Sequence, residues 1–463
     1  MKPTKLTLSL ATLSMMAVSC TNDVVVDSNP DPIGDAITFS TSVRSATRST
    51  DTKKDNLGSF GVYARALDTS DGLYTDFLIG TTDDDGGHSP EIATRSANQW
   101  DLDHKVYWPD GVHAMHFWAA TTRQTTSSGN EEDILPDGAK FFFSSSPDEN
   151  YPIITGFNPY QEDRKDGDNY LTYMDGANQL DLVAAFTHQE AAVHNNTAIA
   201  LNFKHTLSKV NIKAKVGEGQ TEHRQVKIKG AWIVNAKTGA TLNLKYKKDG
   251  TNYSSDFEWM DNGTATFYGS YYGNDNAITL SNFGNDTEAK TLLNTVNATD
   301  NGILMLNPCT VEIWDKNKEE NSFKNCPTDQ AYILLLCRIE TVHNGAAHKG
   351  EESNINTVGN SHYHQLFPHI AEGGSYNSNA YGYTCVPVDI DWKPGYSYTY
   401  VLDIFGASSG GGVYPPDLPG DLPPGIDPPS DKKPGDAILD SEIRFTVSSV
   451  EEWIDASDKN VTM

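Results

Sequence analysis

The chain alternates hydrophobic and polar residues over several short stretches, and this two-residue period predicts β-strands with one buried face. The clearest alternating stretches are 210–216, 242–246, 398–404 and 443–447. Short hydrophobic runs without alternation predict further strands that are buried on both faces, at 60–64, 116–120 and 332–337. Helical periodicity is weak, and 181–194 is the best candidate for a short helix.

Clusters of Gly, Asn, Asp and Pro separate the predicted strands, as turns do. Many short strands joined by turns are typical of antiparallel sandwiches, so the predicted fold class is all-β. The length of 463 residues is enough for two such units in series. An Asn/Thr-rich turn precedes a clean strand pattern near 196–206, which predicts an N-terminal domain over 36–200 and a C-terminal domain over 201–463.

Residues 410–436 differ in composition from the rest, because three glycines are followed by eight prolines between Pro415 and Pro434. Proline has no backbone N–H to donate to a sheet. The segment is therefore predicted to be an exposed, polyproline-like arm, whose proline-bearing stretch of about 20 residues spans about 60 Å at ~3.1 Å per residue. A strand pattern at 437–453 lies beyond it, and a strand on such an arm need not pack on its own domain.

The pattern at the amino terminus predicts an export signal. Lys2 and Lys5 precede a mostly apolar run at 6–18, which is too short to span a bilayer. The run ends in the residues Ala-Val-Ser-Cys at 17–20, which resemble the lipobox of bacterial lipoproteins. The prediction is a lipid on Cys20, and the alternative is an ordinary secretory signal followed by an unrelated cysteine.

This interpretation makes 1–19 a lipoprotein signal peptide and 20–35 a surface tether. Acyl chains on Cys20 would anchor the chain in a membrane, since each buried methylene contributes about 0.8 kcal/mol. No other segment is apolar for 18 residues.

The formal net charge of −27 makes nucleic acid an improbable partner, since the chain repels phosphate backbones. The hydrophobic share of 37% is enough to build a core, which excludes global disorder. Four cysteines besides Cys20 remain, and export permits them to pair as disulfides or to stay as buried thiols. They are Cys309, Cys326, Cys337 and Cys385.

The chain matches the sequence motifs of catalytic sites only weakly. Residues 406–410 match G-x-S-x-G, but glycines and prolines follow where a nucleophile elbow needs a helix, so a linker is the better interpretation. His188 and His194 stand six apart rather than in the four-residue spacing of HExxH. No phosphate-binding loop or dinucleotide fingerprint is present. The chain is predicted to be no enzyme, with no catalytic residue and no cofactor.

Local clusters of histidine and tyrosine bear on metal and sugar binding. His362, His364 and His369 lie close together without a carboxylate to complete a metal site, so a solvated loop is expected and no metal is predicted. Tyrosines are dense in two stretches and would stack on sugars if exposed, although core packing is their commoner role in sandwiches. These tyrosines are Tyr268, Tyr271, Tyr272, Tyr376, Tyr381 and Tyr383.

Arg44 and Arg48 lie in a Ser/Thr-rich stretch between the strand patterns at 36–43 and 57–64. Such a stretch is open to a trypsin-like protease, and the alternative is an ordinary exposed linker.

Several segments taken in order resemble the fimbrillin-like family of type V pilus subunits. After the lipobox these are 37–40 (ITFS), the Arg48 region, 56–64 (NLGSFGVYA), 106–109 (VYWP), 116–120 (HFWAA), 181–185 (DLVAA), 201–210 (LNFKHTLSKV), 392–398 (WKPGYSY), 445–447 (FTV) and Trp453.

The resemblance implies two transthyretin-like antiparallel β-sandwich domains in series and export as an outer-membrane lipoprotein of the cell surface. It implies that an arginine-specific protease removes the first strand, here 37–43, by cutting after Arg48 or Arg44. A strand from the C terminus of another subunit then fills the groove by completing the sheet edge. The donor here is the segment with Ile443, Phe445 and Val447.

The leading hypothesis is therefore a structural or accessory fimbrial subunit whose partners are other pilus subunits, the outer membrane through Cys20, and a host or bacterial surface ligand. The Pro-rich arm departs from a compact shaft subunit, so shaft, anchor and tip roles stay open. The alternative is a surface lipoprotein that binds glycans and does not polymerise. Strand removal requires 37–43 to pair within the sheet of its own chain.

Overall fold

The computed structural model describes residues 36–43, 52–67, 74–82, 88–97, 99–127, 129–130, 132–143, 150–159, 179–191, 197–217, 223–272, 277–283, 288–293, 303–317, 328–346, 355–370, 374–406, 408–420 and 422–451. The first twelve strands are β1 Phe39–Val43, β2 Phe60–Leu67, β3 Tyr74–Ile79, β4 Thr81–Thr82, β5 His88–Ser89, β6 Glu91–Ser96, β7 Gln99–Leu102, β8 Ala114–Thr121, β9 Lys140–Phe143, β10 Pro152–Thr155, β11 Val183–Glu190 and β12 Ile199–His205. The later strands are β13 Ser208–Val216, β14 Arg224–Thr238, β15 Leu242–Asn243, β16 Tyr246–Asp249, β17 Asn252–Ser255, β18 Glu258–Trp259, β19 Thr264–Tyr271, β20 Ile278–Ser281, β21 Lys290–Thr291, β22 Leu304–Leu306, β23 Thr310–Ile313, β24 Gln330–Asn344, β25 Ile355–Val358, β26 Ser361–Phe367, β27 Gly382–Pro387, β28 Ile390–Asp391, β29 Tyr396–Ile404 and β30 Arg444–Glu451.

The first sheet closes on itself. Its strands follow the order β3-β2-β6-β7-β1-β12-β11-β8, and β8 pairs back onto β2. Closure leaves few open edges and encloses a core to which Phe39, Phe60 and Phe117 each contribute a fully buried ring. This arrangement places β1 inside the sheet, between β7 and β12.

The outer face of β2, β8 and β11 packs against a second sheet, in the order β18-β15-β10-β9-β5-β4. The second core carries Tyr63 and Trp118 from the first sheet and Leu242 and Leu244 from the β15 region. The 242–246 strand pattern, assigned to the C-terminal domain on sequence, therefore packs with the N-terminal half. Strand β12 also crosses the predicted boundary between 200 and 201, and the chain leaves the first sheet only after His205.

The C-terminal half is a sandwich. One sheet runs β21-β13-β29-β30 with β22 on β13, and the facing sheet is built around β14 and β24 with β19, β20, β23 and β25 to β28. Apolar residues from both sheets fill the space between them, among them Ile212, Leu402, Ile233 and Leu335. The all-β prediction is confirmed, and the alternating stretches at 210–216 and 398–404 form β13 and β29.

The prediction that the sheets are antiparallel holds for most pairs but not for all. Strand β1 runs parallel to β12, and β13 runs parallel to β29 over eight residue pairs from Lys209–Ser397 to Val216–Ile404. The period of a strand reports which face is buried and carries no information on the direction of its neighbour, so the sequence pattern did not distinguish the two.

The predicted helix at 181–194 is wrong. Residues Val183–Glu190 form β11, which pairs with β8 along its whole length, from Val183–Thr121 to Glu190–Ala114. The strand lies between two cores, with Ala185 in one and Phe186 in the other. Burial on both faces removes the alternation by which a strand is recognised.

The prediction of an exposed Pro-rich arm at 410–436 is also wrong. Val413 pairs with Cys385 of β27 through two backbone hydrogen bonds of 2.8 and 3.2 Å, and Val413 and Leu422 are buried against the outer face of the β14–β24 sheet. That face carries aromatic side chains whose hydroxyls need acceptors. Tyr332 Oη donates to the Asp417 carbonyl at 2.8 Å, and Tyr383 donates to the Pro423 carbonyl. Proline lacks an N–H but keeps this carbonyl, so a segment rich in proline can cover a sheet face without joining it.

Among the described residues, no helix is both long and apolar enough to cross a membrane. Cys309, Cys337 and Cys385 are thiols, not disulfides, and Cys326 lies outside the described residues. Burial raises the pKa of the Cys309 thiol to about 11, so that thiol is a weak nucleophile at neutral pH.

Candidate strand-exchange site

Strand β1 presents its hydrophobic face to the core of the closed sheet. Ile37, Phe39 and Thr41 point inward and are at most 7% exposed, as their two-residue spacing predicts. The Phe39 ring meets Phe60 edge to face at a centroid distance of 6.0 Å and Phe117 at 6.1 Å. Full burial of an Ile or Phe side chain is worth roughly 1.5–3 kcal/mol, so a vacated β1 position would leave an unfavourable apolar groove.

The backbone of β1 is secured mainly on one side. Five consecutive residues pair with β12, from Phe39–Ile199 to Val43–Phe203. On the other side a single pair joins Phe39 to Trp100 of β7. Before the strand, the Ile37 N–H donates to the Val106 carbonyl at 2.7 Å. The strand prediction for 37–43 is thus confirmed for Phe39–Val43, which pairs inside the sheet of its own chain.

The predicted modification and cleavage residues lie outside the described part of the chain. This applies to Cys20, Arg44 and Arg48. The structure does place the two flanks of the arginine segment, since Val43 ends β1 and the next described residue is Thr52. Lipidation at Cys20 and cleavage after Arg44 or Arg48 stay predictions.

The predicted donor residues share one face of the C-terminal strand. Strand β30 pairs with β29 over eight residue pairs, from Arg444–Asp403 to Glu451–Tyr396, and among the described strands it pairs with β29 alone. Ile443 is 3% exposed in the C-terminal core, Phe445 packs against the same core, and Val447 is 45% exposed. The strand therefore packs on its own domain, contrary to the expectation drawn from the predicted arm. It forms a sheet edge, and its apolar face becomes more exposed from Ile443 to Val447.

The tyrosines considered for sugar stacking serve the core instead. Five of the six are 4–7% exposed, namely Tyr268, Tyr271, Tyr272, Tyr381 and Tyr383. Tyr376 is half-buried and donates a 2.6 Å hydrogen bond to Glu340 Oε1. No exposed aromatic platform forms from this set, so the glycan-binding alternative loses the observation on which it depended.

The remaining motifs adopt plain structural roles. Ser408 and its neighbours form a turn after β29, where the Gly410 N–H donates to the Glu442 carbonyl at 2.9 Å. The solvated loop expected for His362 and His364 is wrong, because both lie on one face of β26 and His362 is buried. The ring of His343 on the neighbouring strand lies 5.2 and 4.9 Å from theirs. No group of three His, Cys, Asp or Glu residues within the described ranges has the geometry of a metal site.

A buried polar cluster that sequence analysis missed lies at the end of β12 beside which β1 also ends. The Thr52 N–H donates to Asp181 Oδ2 at 2.8 Å, and His205 Nδ1 lies 2.8 Å from the same oxygen. The three residues come from distant parts of the chain, so no local spacing signals them. Asp181 and His205 did stand in two of the segments that carry the family resemblance.

Comparison with known protein families gives a match over much of the chain. The profile of the family described as fimbrillin-like matches residues 47–321, which is more than half of the chain. The chain belongs to the fimbrillin-like family. This membership supports a role as a fimbrial subunit at the cell surface, which is a structural and not a catalytic role.

Solved structures with distant likeness include a fimbrial protein from Bacteroides vulgatus, 14% identical, with 90% of this chain and 99% of that chain covered and a TM-score of 0.44. Candidate cell adhesion proteins from Bacteroides ovatus and Bacteroides eggerthii are 9% and 11% identical, cover 92% of this chain and 99% and 98% of theirs, and have TM-scores of 0.36 and 0.34. Likenesses at this distance carry no argument about function. No curated protein sequence matches the chain.

Proposed function

We propose that this chain is a fimbrial subunit that is exported as a lipoprotein through Cys20 and polymerises by exchanging β1 for the C-terminal strand of another subunit. Cleavage after Arg44 or Arg48 would separate β1 from the rest of the chain. The observation that carries the proposal is the position of β1: it lies inside a closed sheet, and its departure would open a groove lined by Phe60, Phe117 and Trp100.

The C-terminal strand matches β1 side chain for side chain. The inward residues of β1 are Ile37, Phe39 and Thr41, and the residues at the same spacing near the C terminus are Ile443, Phe445 and Val447. Aligned in the same direction, the two segments present Ile and Phe at the first two inward positions and a β-branched residue at the third. A strand with this pattern can refill the groove without repacking its walls.

The exchange also has a favourable direction. In its own domain Val447 is 45% exposed, whereas Thr41 at the matching place in β1 is 7% exposed. Transfer would therefore bury the rest of the Val447 side chain, worth roughly 1 kcal/mol. The backbone would exchange an edge position, where β29 is its partner among the described strands, for a place between β12 and β7.

The opposing cost is local to the C-terminal domain. Ile443 and Phe445 would leave that core, and the Phe445 ring would lose its contact with Tyr400 at 6.3 Å. Because Ile443 and Phe445 must leave one core before they enter the other, we expect a kinetic barrier that makes the exchange slow. Removal of β1 by proteolysis supplies the empty groove that makes the exchange downhill.

The test is limited trypsin digestion of the chain without its lipid, followed by N-terminal sequencing and a gel of unboiled samples. A single cut after Arg44 or Arg48 followed by a ladder of detergent-resistant multimers is expected. Phe445→Asp should abolish the ladder and leave the cut unchanged, because a charge cannot enter the groove. Thr446→Asp, on the opposite face of the strand, is the matched control and should retain the ladder.

Two results would contradict the proposal. An uncut, stable monomer would remove the processing step and favour the lipoprotein that does not polymerise. A ladder that persists in Phe445→Asp would show that multimers form by another surface. A clean cut without any ladder would retain processing and would point to a tip or accessory subunit.

A further inference from the structure

A buried carboxylate ties down the chain that follows the arginine segment. The Thr52 N–H donates to Asp181 Oδ2 at 2.8 Å, and the Thr52 hydroxyl donates to the Asp181 carbonyl at 3.4 Å. His205 Nδ1 also contacts Oδ2, at 2.8 Å. The first described residue after the arginines is thus held by two bonds to one residue, and that residue is oriented by a third.

The cluster is closed to water. Thr52 and Asp181 are 0% exposed and His205 is 6% exposed. Hydrogen bonds to a carboxylate in a buried site are stronger than neutral ones, and loss of a partner leaves the remaining polar group unpaired. Such a cluster holds its members in one geometry, unlike an exposed pair, which exchanges readily with water.

The position of this cluster in the fold bears on proteolytic processing. His205 is the last residue of β12, and β1 ends where Val43 pairs with Phe203 of the same strand. The described residues on either side of 44–51, Val43 and Thr52, therefore lie at the same end of β12. One flank is held by the ladder of β1 and the other by the carboxylate of Asp181.

The chain beyond Thr52 is secured a second time at Leu57. The Leu57 N–H donates to the Lys53 carbonyl at 2.8 Å, and Leu57 is buried and bridges to Gln124. Lys53 and Lys54 lie between the two attachments, and Lys54 is exposed. These lysines are trypsin-type cleavage residues in a turn that the flanking attachments hold together with the Asn56–Lys53 and Arg95–Asp55 hydrogen bonds.

We propose that Asp181 and His205 form a latch on Thr52 that fixes the amino-terminal boundary of the processed subunit. This role rests on the proposed function, in which a cut at Arg44 or Arg48 lets β1 leave. The latch confines the departure to the residues before Thr52 and keeps the groove wall in place. Asp181 holds the backbone directly, and His205 is a positioning residue that acts through Asp181.

The test removes the proposed processing residues so that it does not depend on polymerisation. In a full-length Arg44→Gln, Arg48→Gln chain, trypsin cleavage after Lys53 or Lys54 is timed by mass spectrometry. Asp181→Ala should raise that rate about tenfold or more, the expected effect of losing a buried hydrogen bond to a charged group. Exchange of the Thr52 amide hydrogen should accelerate with it.

Conservative variants separate the latch from a general loss of stability. Asp181→Asn keeps an oxygen that accepts from Thr52, so its rate should lie between those of the parent and Asp181→Ala. His205→Ala should raise the rate, and His205→Asn should restore it, because the asparagine Nδ2 takes nearly the place of the imidazole Nδ1. The His205 pair keeps the test decisive if Asp181→Ala does not fold.

Glu340→Gln is the matched control, since Glu340 is a fully buried carboxylate in the C-terminal half, bonded to Arg338 and Tyr376. It should lower stability without opening the Lys53–Lys54 turn. Equal acceleration by Glu340→Gln, or an unchanged rate in the Asp181 and His205 variants, would overturn the latch. Failure of the multimer ladder with a working latch would instead count only against polymerisation in the proposed function.

Discussion

The rings of Phe39 and Phe60 meet edge to face in the interior of the first sheet, with their centroids 6.0 Å apart and their planes at 75°. Phe60 belongs to β2, which stays in the sheet, whereas Phe39 belongs to the strand proposed to leave. Loss of this contact therefore shows how much of the stability of the first core depends on β1.

Phe39→Ala should lower the free energy of unfolding of the uncut chain by about 3–5 kcal/mol, since it removes a fully buried ring from a closed core. Urea denaturation followed by tryptophan fluorescence measures this change. Once β1 has been removed by trypsin, the variant and the parent should have the same stability. Ser40→Ala, whose side chain lies on the opposite face, should change the uncut chain by less than about 0.5 kcal/mol.

The docked Pro-rich segment depends on a glycine. Gly412 has φ of +97°, and a Cβ there would lie 2.2 Å from Thr384 Oγ1. Gly412→Ala should therefore destabilise the C-terminal half by about 1–3 kcal/mol and make 410–436 more sensitive to proteases. Thermal unfolding and limited proteolysis report the two effects. Gly420→Ala is the control, because open space surrounds that position, and an equal effect there would argue against docking at Gly412.

The buried ion pair on β24 holds a loop onto the sheet. Glu340 Oε1 accepts from Arg338 Nε and from the Tyr376 hydroxyl, both at 2.6 Å. Burial by itself would raise the pKa of Glu340, but the bond from Tyr376 and the charge of Arg338 outweigh it and lower the pKa.

Glu340→Ala should cost about 3–5 kcal/mol, because it leaves the fully buried Arg338 guanidinium without its carboxylate. Replacing both residues with apolar side chains of similar size should cost much less. Equilibrium unfolding of the two variants gives the comparison, and equal costs would show that the pairing of charges is not what matters.

Acid should weaken the contact between the β16–β17 hairpin and the first sheet. His116 and His188 lie there with ring centroids 4.9 Å apart, and the hairpin contributes Tyr253, stacked on His188 at 4.0 Å, and Lys248. Burial, followed by the charges of His188 and Lys248, lowers the pKa of His116 to about 3. Burial also lowers the pKa of His188, against the raising effect of Glu190.

An unfolded imidazole takes up its proton near pH 6.5, whereas folded His116 does so only near pH 3. The stability from the neutral ring is therefore complete above about pH 6.5 and is lost progressively as the pH falls toward about 3, by about 2 kcal/mol at pH ~5. Urea midpoints at several pH values measure the slope. His116→Phe should reduce it, and His369→Phe, at an exposed residue, should not; an unchanged slope in His116→Phe would contradict the assignment.

Much of the strand content was predictable because a half-buried strand shows its burial in its own residues. The alternation at 398–404 became β29, and the pattern at 37–43 became β1 with Phe39 inward. The helix predicted at 181–194 is wrong for the complementary reason. Strand β11 touches a core on each face, and its residues then lose the two-residue signal.

The residues of the candidate site likewise include some that local sequence predicts and some that it does not. The C-terminal donor pattern at Ile443, Phe445 and Val447 is local, so it was visible in the sequence. The latch was not, because Thr52 and Asp181 are 129 residues apart and His205 follows Asp181 by 24 residues. Only the closed sheet brings them to one end of β12.

The amino-acid sequence by itself determined the all-β class, the inward face of alternating stretches such as 210–216 and 398–404, and the order of segments that marks the fimbrillin-like family. These features leave a signal in the sequence that spans only a few residues. Only the tertiary structure decided that β1 lies inside a closed sheet, that residues 242–246 pack with the N-terminal half and that the Pro-rich segment covers a sheet face. Each of these depends on which distant surfaces bury one another, and hydrophobic burial is not directional.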